Sequence, residues 1–298
     1  MSTKYVFTEV PITPELTLYV DGNSKITVGN GTYDEPKPNA LSLPHISTCP
    51  GATSQCMAAC YVYGLQKNAP EVYQKYMQNE RVIHRILMTN PRMMRSAEWF
   101  GKWISDNCAD GFRWHVSGDV MGPRHAMWIS KVVENSPDVR HWIYTRSFDL
   151  IPQLLMTENL AVNISADADN YAEARKYATM YGGRICYMPR DGSLPDDLKE
   201  GEVILPDYSL RGRDMEKPTE HEWWKGLSQR HRQMVCPADF FGQSEQHRCG
   251  PCKKCLHPSN PIGTVVGFAR NASTRRIQLV SEEKPIKNIE NTELLGWG

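Results

Sequence analysis

Charge of one sign is what this chain most plainly lacks. Its 34 basic residues balance 34 acidic ones over 298 positions. No electrostatic field therefore marks it for general nucleic-acid or membrane-surface binding. No stretch approaches the 18 apolar residues of a membrane-spanning helix. The first residues, through Phe7, lack the apolar segment of a secretory signal. No internal repeat stands out. These absences predict a soluble cytoplasmic protein without a membrane partner, with length enough for one large domain or two smaller ones.

Cysteine, by contrast, is plentiful: nine residues, an odd number that argues against a purely disulfide framework. In a reducing compartment clustered cysteines read as metal ligands. Seven of them fall into two groups. The first is Cys49-Pro-Gly-Ala-Thr-Ser-Gln-Cys56-Met-Ala-Ala-Cys60, followed by Tyr61. The second is Cys236 with Cys249-Gly-Pro-Cys252-Lys-Lys-Cys255. The second has ferredoxin-like spacing, with Cys236 as a fourth ligand. Four thiolates also suit tetrahedral zinc, so zinc is the alternative there. Soft thiolates select zinc or iron–sulfur over magnesium or calcium. The first group has three local cysteines, and three ligands on a 4Fe–4S cube leave one iron open. Cys108, Cys186 or the distant group could supply a fourth. Read by themselves, Cys108 and Cys186 are plain buried or loop thiols.

Alternation of elements predicts an α/β fold. Residues 16–20 read as a strand, closed by a turn at Asp21-Gly22-Asn23, with a short buried strand over 39–46. Helices follow at 71–89 and 92–107. Strands at 112–117, 141–145, 160–165, 184–188 and 202–206 alternate with helices at 123–135, 148–157 and 170–181. Such βαβ units imply a parallel sheet of six strands. Within 112–117, Phe112, Trp114 and Val116 oppose Arg113, His115 and Ser117. Within 160–167, Leu160, Val162 and Ile164 oppose Ala161, Asn163, Ser165 and Asp167. A polar face predicts either a curved, barrel-like sheet with a polar interior or a solvent-exposed strand face. The expected architecture is a parallel (β/α)6 partial TIM barrel over 39–210. A 1–38 extension precedes it, and a cysteine-rich metal-binding region over 211–298 follows, with strand-like runs at 263–268 and 275–280.

Other residues carry more than one reading each. His115 and Asp119 form an acid/base pair or a strand-end hydrogen bond. Arg146 holds a carboxylate or phosphate, or makes a surface ion pair. Trp223-Trp224 stacks a base, flanks a cluster, or packs the C-terminal region onto the barrel. His247 and His257 are ligands or exposed loop histidines.

A three-cysteine loop after the first strand of a six-stranded β/α partial barrel, with an aromatic beside the last cysteine, resembles the radical S-adenosylmethionine (SAM) enzymes. The resemblance implies a 4Fe–4S cluster on Cys49, Cys56 and Cys60, with SAM at the open iron. Ser117-Gly118-Asp119 would be the counterpart of the motif that holds the SAM amino group. Gly118 would let the backbone approach the ligand. In the competing reading, Gly118 serves a tight turn and Asp119 caps the helix near Pro123. Asn163 and Ser165 would meet the ribose. The spacing departs from that superfamily's Cys-x3-Cys-x2-Cys, and Tyr61 follows the last cysteine rather than preceding it.

A second resemblance covers nearly the whole chain. Asn23-Ser-Lys, Leu41-Ser-Leu-Pro, Thr48-Cys-Pro-Gly, Cys60-Tyr61, His115-Val-Ser-Gly-Asp119, Tyr144-Thr-Arg-Ser147, Cys236-Pro-Ala and the final Cys-x2-Cys-x2-Cys are similar to the phage "gene product 88" family. It implies a phage origin, and hence the host cytoplasm. The functional expectation is a radical-SAM-like iron–sulfur protein with one or two 4Fe–4S clusters and a small-molecule ligand. The alternative is a non-catalytic, metal-stabilised protein engaging a host protein.

Overall fold

The computed structural model describes residues 6–22, 37–108, 111–189, 193–195, 203–204, 216–242, 247, 249–252 and 255. The strand-like runs after 262 and His257 lie outside them.

Among the described residues, eight strands form one sheet in chain order. β1 (Val6–Thr13) and β2 (Leu16–Gly22) make an antiparallel hairpin. β3 (Ala40–Leu41) runs antiparallel to β2 and parallel to β4 (Phe112–Trp114). β5 (His141–Thr145), β6 (Leu160–Ala166), β7 (Arg184–Tyr187) and β8 (Val203–Ile204) continue the parallel array. Among the described residues the sheet is open, with β1 and β8 at its edges. The α/β class and the six parallel strands are as the periodicity predicts.

Helices fill the connections: α1 (Ser54–Ala58), α2 (Val62–Asn68), α3 (Pro70–Leu87), α4 (Asn90–Asn107), α5 (Pro123–Glu134), α6 (Ile151–Leu155) and α7 (Tyr171–Tyr181). Proline opens α3 and α5 in the first turn, where its missing N–H would have no intrahelical partner. From α3 to α7 each helix packs on the next, forming one layer over the sheet.

Three expectations fail at element ends. The turn at Asp21-Gly22 is instead the end of β2, where Asp21 pairs with Ala40. Its buried carboxyl takes the Ser42 hydroxyl, and burial pushes its pKa up to about 7. The 39–46 strand stops at Leu41, and the chain turns at 45–48. The 112–117 strand stops at Trp114 because His115 adopts a left-handed backbone, φ 57°. Its ring therefore leaves the Arg113 face and lies 5.1 Å from the His125 ring on α5.

Beneath the helices lies an aromatic core. Phe100 stacks on Trp128 at 5.8 Å, and Trp114 meets Trp128 edge-on at 5.7 Å. Each such pair adds about 0.5–1.5 kcal/mol beyond simple burial. Asn79 on α3 is fully buried and bonds the Tyr19 N–H, the Tyr19 carbonyl and the Ser42 carbonyl. One amide thus ties the hairpin to the segment entering the cysteine loop.

On the sheet face away from the helices stand Arg113, Tyr144, Asn163 and Arg184, all buried. The solvent-exposed alternative for the polar face is therefore excluded. Beyond β8, α8 (Glu222–Gly226), α9 (Gln229–Met234), α10 (Pro237–Phe240) and α11 (Cys249–Cys252) follow. Trp223 and Trp224 pack with Phe240 in a small core there, Trp224 stacking on Phe240 at 4.5 Å. Met234, Cys236, Ala238 and Cys255 join the main core instead.

Candidate functional site

The first cysteine group leaves β3 through a tight turn and runs along the carboxyl ends of the strands. Ile46 holds a left-handed backbone, φ 67°, rare for a branched side chain, and its carbonyl accepts the Cys49 N–H at 3.0 Å. A Cβ on Gly51 would lie 2.1 Å from the Arg146 carbonyl oxygen, so only glycine lets the loop meet the end of β5 this closely. Thr53 caps α1 by accepting the Cys56 N–H. Its own hydroxyl donates to Asp167 at 2.6 Å, while Ser54 donates to Asp169 at 2.6 Å. Gln55 donates to the Met188 carbonyl at 3.1 Å. The loop is thus bound to the ends of β5, β6 and β7.

Cys49, Cys56 and Cys60 are half-buried free thiols. Burial, then the Asp119 carboxylate, pushes Cys49 up to about 12, with Cys56 and Cys60 adding to the rise. Burial also raises Cys56, opposed by the Arg146 guanidinium, which hydrogen-bonds its sulfur. Cys60 is pushed up to about 11 by burial, against the N–H groups of Val62 and Tyr63 at the start of α2. Three soft donors lie within electrostatic reach of one another, with a guanidinium and backbone N–H groups turned toward sulfur. Thiols are the soft donors that zinc or iron–sulfur takes. Among the described residues, no three Cys, His, Asp or Glu side chains form a ready single-ion site.

Arg146 and Asp119 belong to this rim. Arg146 Nη1 lies 2.7 Å from Asp167 Oδ2, so its ion pair is internal rather than on the surface. Asp119 does not cap α5, whose N-cap is Gly122. Its carboxylate takes the Thr145 hydroxyl at 2.7 Å, the Val120 N–H at 2.7 Å and the Arg146 N–H at 2.8 Å. Asp119 thereby locks the end of β4 to that of β5. His115 is buried apart from it on the helix side. Of the two readings for Asp119, the strand-end hydrogen bond is the one present, made with Thr145 rather than His115. The Ser117 hydroxyl donates to the Leu43 carbonyl at 2.7 Å. Gly118 has φ +83°, and a Cβ there would lie 2.5 Å from the Leu43 Cβ and 2.6 Å from Thr48 Oγ1. Its close approach is to this chain, as in the tight-turn reading.

Asn163 sits deeper. Its amide donates to the Ile143 carbonyl at 3.1 Å and the Cys255 carbonyl at 3.3 Å, and its oxygen accepts from Arg184 at 3.0 Å. Ser165, half-buried, stands beside Cys186 in register. The SAM contacts drawn from the resemblance therefore do not fit well. Asp119, Ser117 and Asn163 are all engaged by protein partners.

Sequence reasoning put Asp167 on the polar strand face and Tyr144 in a family-like run but gave neither a role, and it passed over Arg184. Of the second cysteine group, Cys236 and Cys255 are buried, and Cys249 and Cys252 half-buried.

A family model described as "Gene product 88" matches residues 17–258, a stretch holding all seven grouped cysteines. The "Gene 88 protein" of Mycobacterium phage L5 is 31% identical over 147 residues, 46% of this chain and 60% of the relative. That of Mycobacterium phage D29 is 28% identical over 145 residues, with the same coverage. The match thus spans about three fifths of each of these relatives. No solved structure matches. Among the described residues no helix is long and apolar enough to cross a membrane.

Proposed function

The chain belongs to the gene product 88 family, and on that premise we propose that it is a phage iron–sulfur protein working in the host cytoplasm. Cys49, Cys56 and Cys60 would hold a 4Fe–4S cluster at the carboxyl rim of the parallel strands. The observation that carries this is three half-buried thiols on one loop at the carboxyl ends of the strands, with Arg146 directed at the Cys56 sulfur and the N–H groups of Val62 and Tyr63 at that of Cys60. Parallel α/β sheets bind ligands at this rim, where loops converge. Six parallel strands in chain order under one helical layer also support reading the sheet as an arc of a (β/α)6 barrel.

When bound, such a cluster supplies a redox-active centre with one iron lacking a protein ligand. The chain's own residues have distinct tasks. Arg146 offsets thiolate charge at Cys56 and is aimed by Asp167. Asp119 locks the strand ends, and Gly51 lets the cysteine loop close over them. SAM is the small ligand this reading brings to the open iron. With Asp119 and Asn163 already engaged, no step is assigned through it.

That same engagement favours a second reading, a non-catalytic protein stabilised by iron–sulfur or zinc and acting on a host partner. Anaerobic purification with iron, sulfide and zinc analysis, followed by electron paramagnetic resonance with and without SAM, separates them. Brown protein with a SAM-sensitive signal is expected of the first reading. Iron or zinc without any SAM effect supports the second, and colourless, metal-free protein overturns both.

A further inference from the structure

The overall charge balance conceals a local segregation. From Arg81 to Ala97 the chain carries four arginines and no acidic residue, and from Val120 to Ser130 it adds Arg124, again without an acid. The fold gathers these at one corner. Arg81 and Arg85 stand one turn apart on α3, and Arg92, Arg95 and Trp99 follow at helical spacing along α4, all of them exposed. Arg92 donates to the Arg85 carbonyl at 3.0 Å, and Arg124, in the first turn of α5, donates to the Leu87 carbonyl at 2.7 Å. The last turn of α3 therefore meets the first turns of α4 and α5. We propose that this corner binds single-stranded nucleic acid, with the five arginines on its phosphodiester backbone and Trp99 stacked on a base.

Capping accounts for part of the arrangement, since cations suit the carbonyls that end α3. Each capping bond uses only one of a guanidinium's five N–H donors. Among the described residues none of the five arginines forms an ion pair with a carboxylate. A merely solvated helix face mixes its charges. That is the pattern further along α4 and α5, where Lys102 pairs with Asp106 and Lys131 with Glu134. Neither α4 nor α5 has an acidic residue or a side-chain cap in its first turn, so their N-terminal dipoles add to the positive field. Nothing lies within 4 Å of where a Gly122 Cβ would stand, which leaves the start of α5 open to approach.

Residue choice selects the polyanion. The chain has fifteen lysines and nineteen arginines, yet the corner holds arginine alone. An anionic membrane attracts either cation about equally. Phosphodiesters favour the planar fork, which grips two oxygens at once and also stacks on rings. Trp99 lies one turn beyond Arg95 and is 39% exposed. An indole standing in water beside a basic surface suits an unpaired base, which a single strand offers and a duplex does not.

The test is fluorescence anisotropy of the full chain with labelled single-stranded DNA and RNA over a salt series. Duplex DNA, polyglutamate and phosphatidylserine vesicles serve as competitors. Single strands should bind best. Arg81→Gln with Arg95→Gln should weaken binding and flatten the log–log salt slope by about 1.4, two phosphate contacts at about 0.7 each. Trp99→Ala should weaken binding roughly 5- to 150-fold and leave the slope unchanged. Lys217→Gln with Lys225→Gln removes the same charge from exposed cations beside α8 and should change neither quantity. An equal loss in that control overturns the proposal. So does wild type that ignores single strands, or that prefers duplex, polyglutamate or vesicles. Should a variant fail to fold, photo-crosslinking of wild type to an iodouracil-substituted strand decides. Crosslinks should map to Trp99 and its neighbours on α4; crosslinks confined to other segments overturn the assignment.

Discussion

Arg146 and Asp167 meet at 2.7 Å, with the aspartate side chain wholly buried. The pair joins the ends of β5 and β6 and directs the guanidinium at Cys56. Removing one partner leaves a buried charge without its counterion, a loss of about 3–5 kcal/mol. Arg146→Gln should accordingly lower the urea unfolding free energy by that amount. Arg146→Lys should lose less, because it keeps the charge but not the planar fork. An unchanged unfolding curve for Arg146→Gln would show the pair to be dispensable.

Asp119→Asn tests the brace between β4 and β5. The native carboxylate accepts from Thr145 and Val120 on one oxygen and from Arg146 N on the other. Either flip of an asparagine amide sets its NH2 against a backbone N–H. Stability should fall by roughly 1–3 kcal/mol, the penalty of a buried group left unsatisfied. Calorimetric melting measures it, and an unchanged Tm would contradict the brace.

Gly118→Ala places a methyl on a left-handed backbone and against Leu43 and Thr48. The conformation alone costs about 1–2 kcal/mol, and the crowding about 1–3 more. Gly122→Ala is the control, since nothing lies within 4 Å of its added Cβ. Comparable denaturation midpoints for the two variants would refute the packing role of Gly118.

Acid should weaken the fold. Burial holds His115 and His141 down at about 3, and His125 well below its usual value. Unfolded histidine takes its proton near 6.5. Stability from these groups is therefore complete above that pH and is lost as pH falls toward 3. Asp21, raised to about 7, and Asp119, raised too, act oppositely as pH falls. Three histidines against two acids leave an excess of at least one group, roughly 1.4 kcal/mol per pH unit at its steepest. Urea midpoints of metal-free protein should drop between pH 7 and 5; a rise would mean the carboxyls dominate.

Much of this was determined by local pattern. Helix periods, proline starts and strand alternation placed α3–α5 and β5–β7 within a residue or two, because these follow from side-chain spacing along one segment. The two cysteine groups were equally plain, since thiol spacing is a property of the chain. The tertiary structure decided what each polar residue does. Asp119 suited a ligand contact, a helix cap or a strand-end hydrogen bond on local grounds, and became a brace because the end of β5 arrives beside it. Gly118 proved to serve Leu43 and Thr48, which precede it by some seventy residues. Local spacing fixes which way a side chain points; what it meets there depends on a distant segment whose arrival the spacing does not encode.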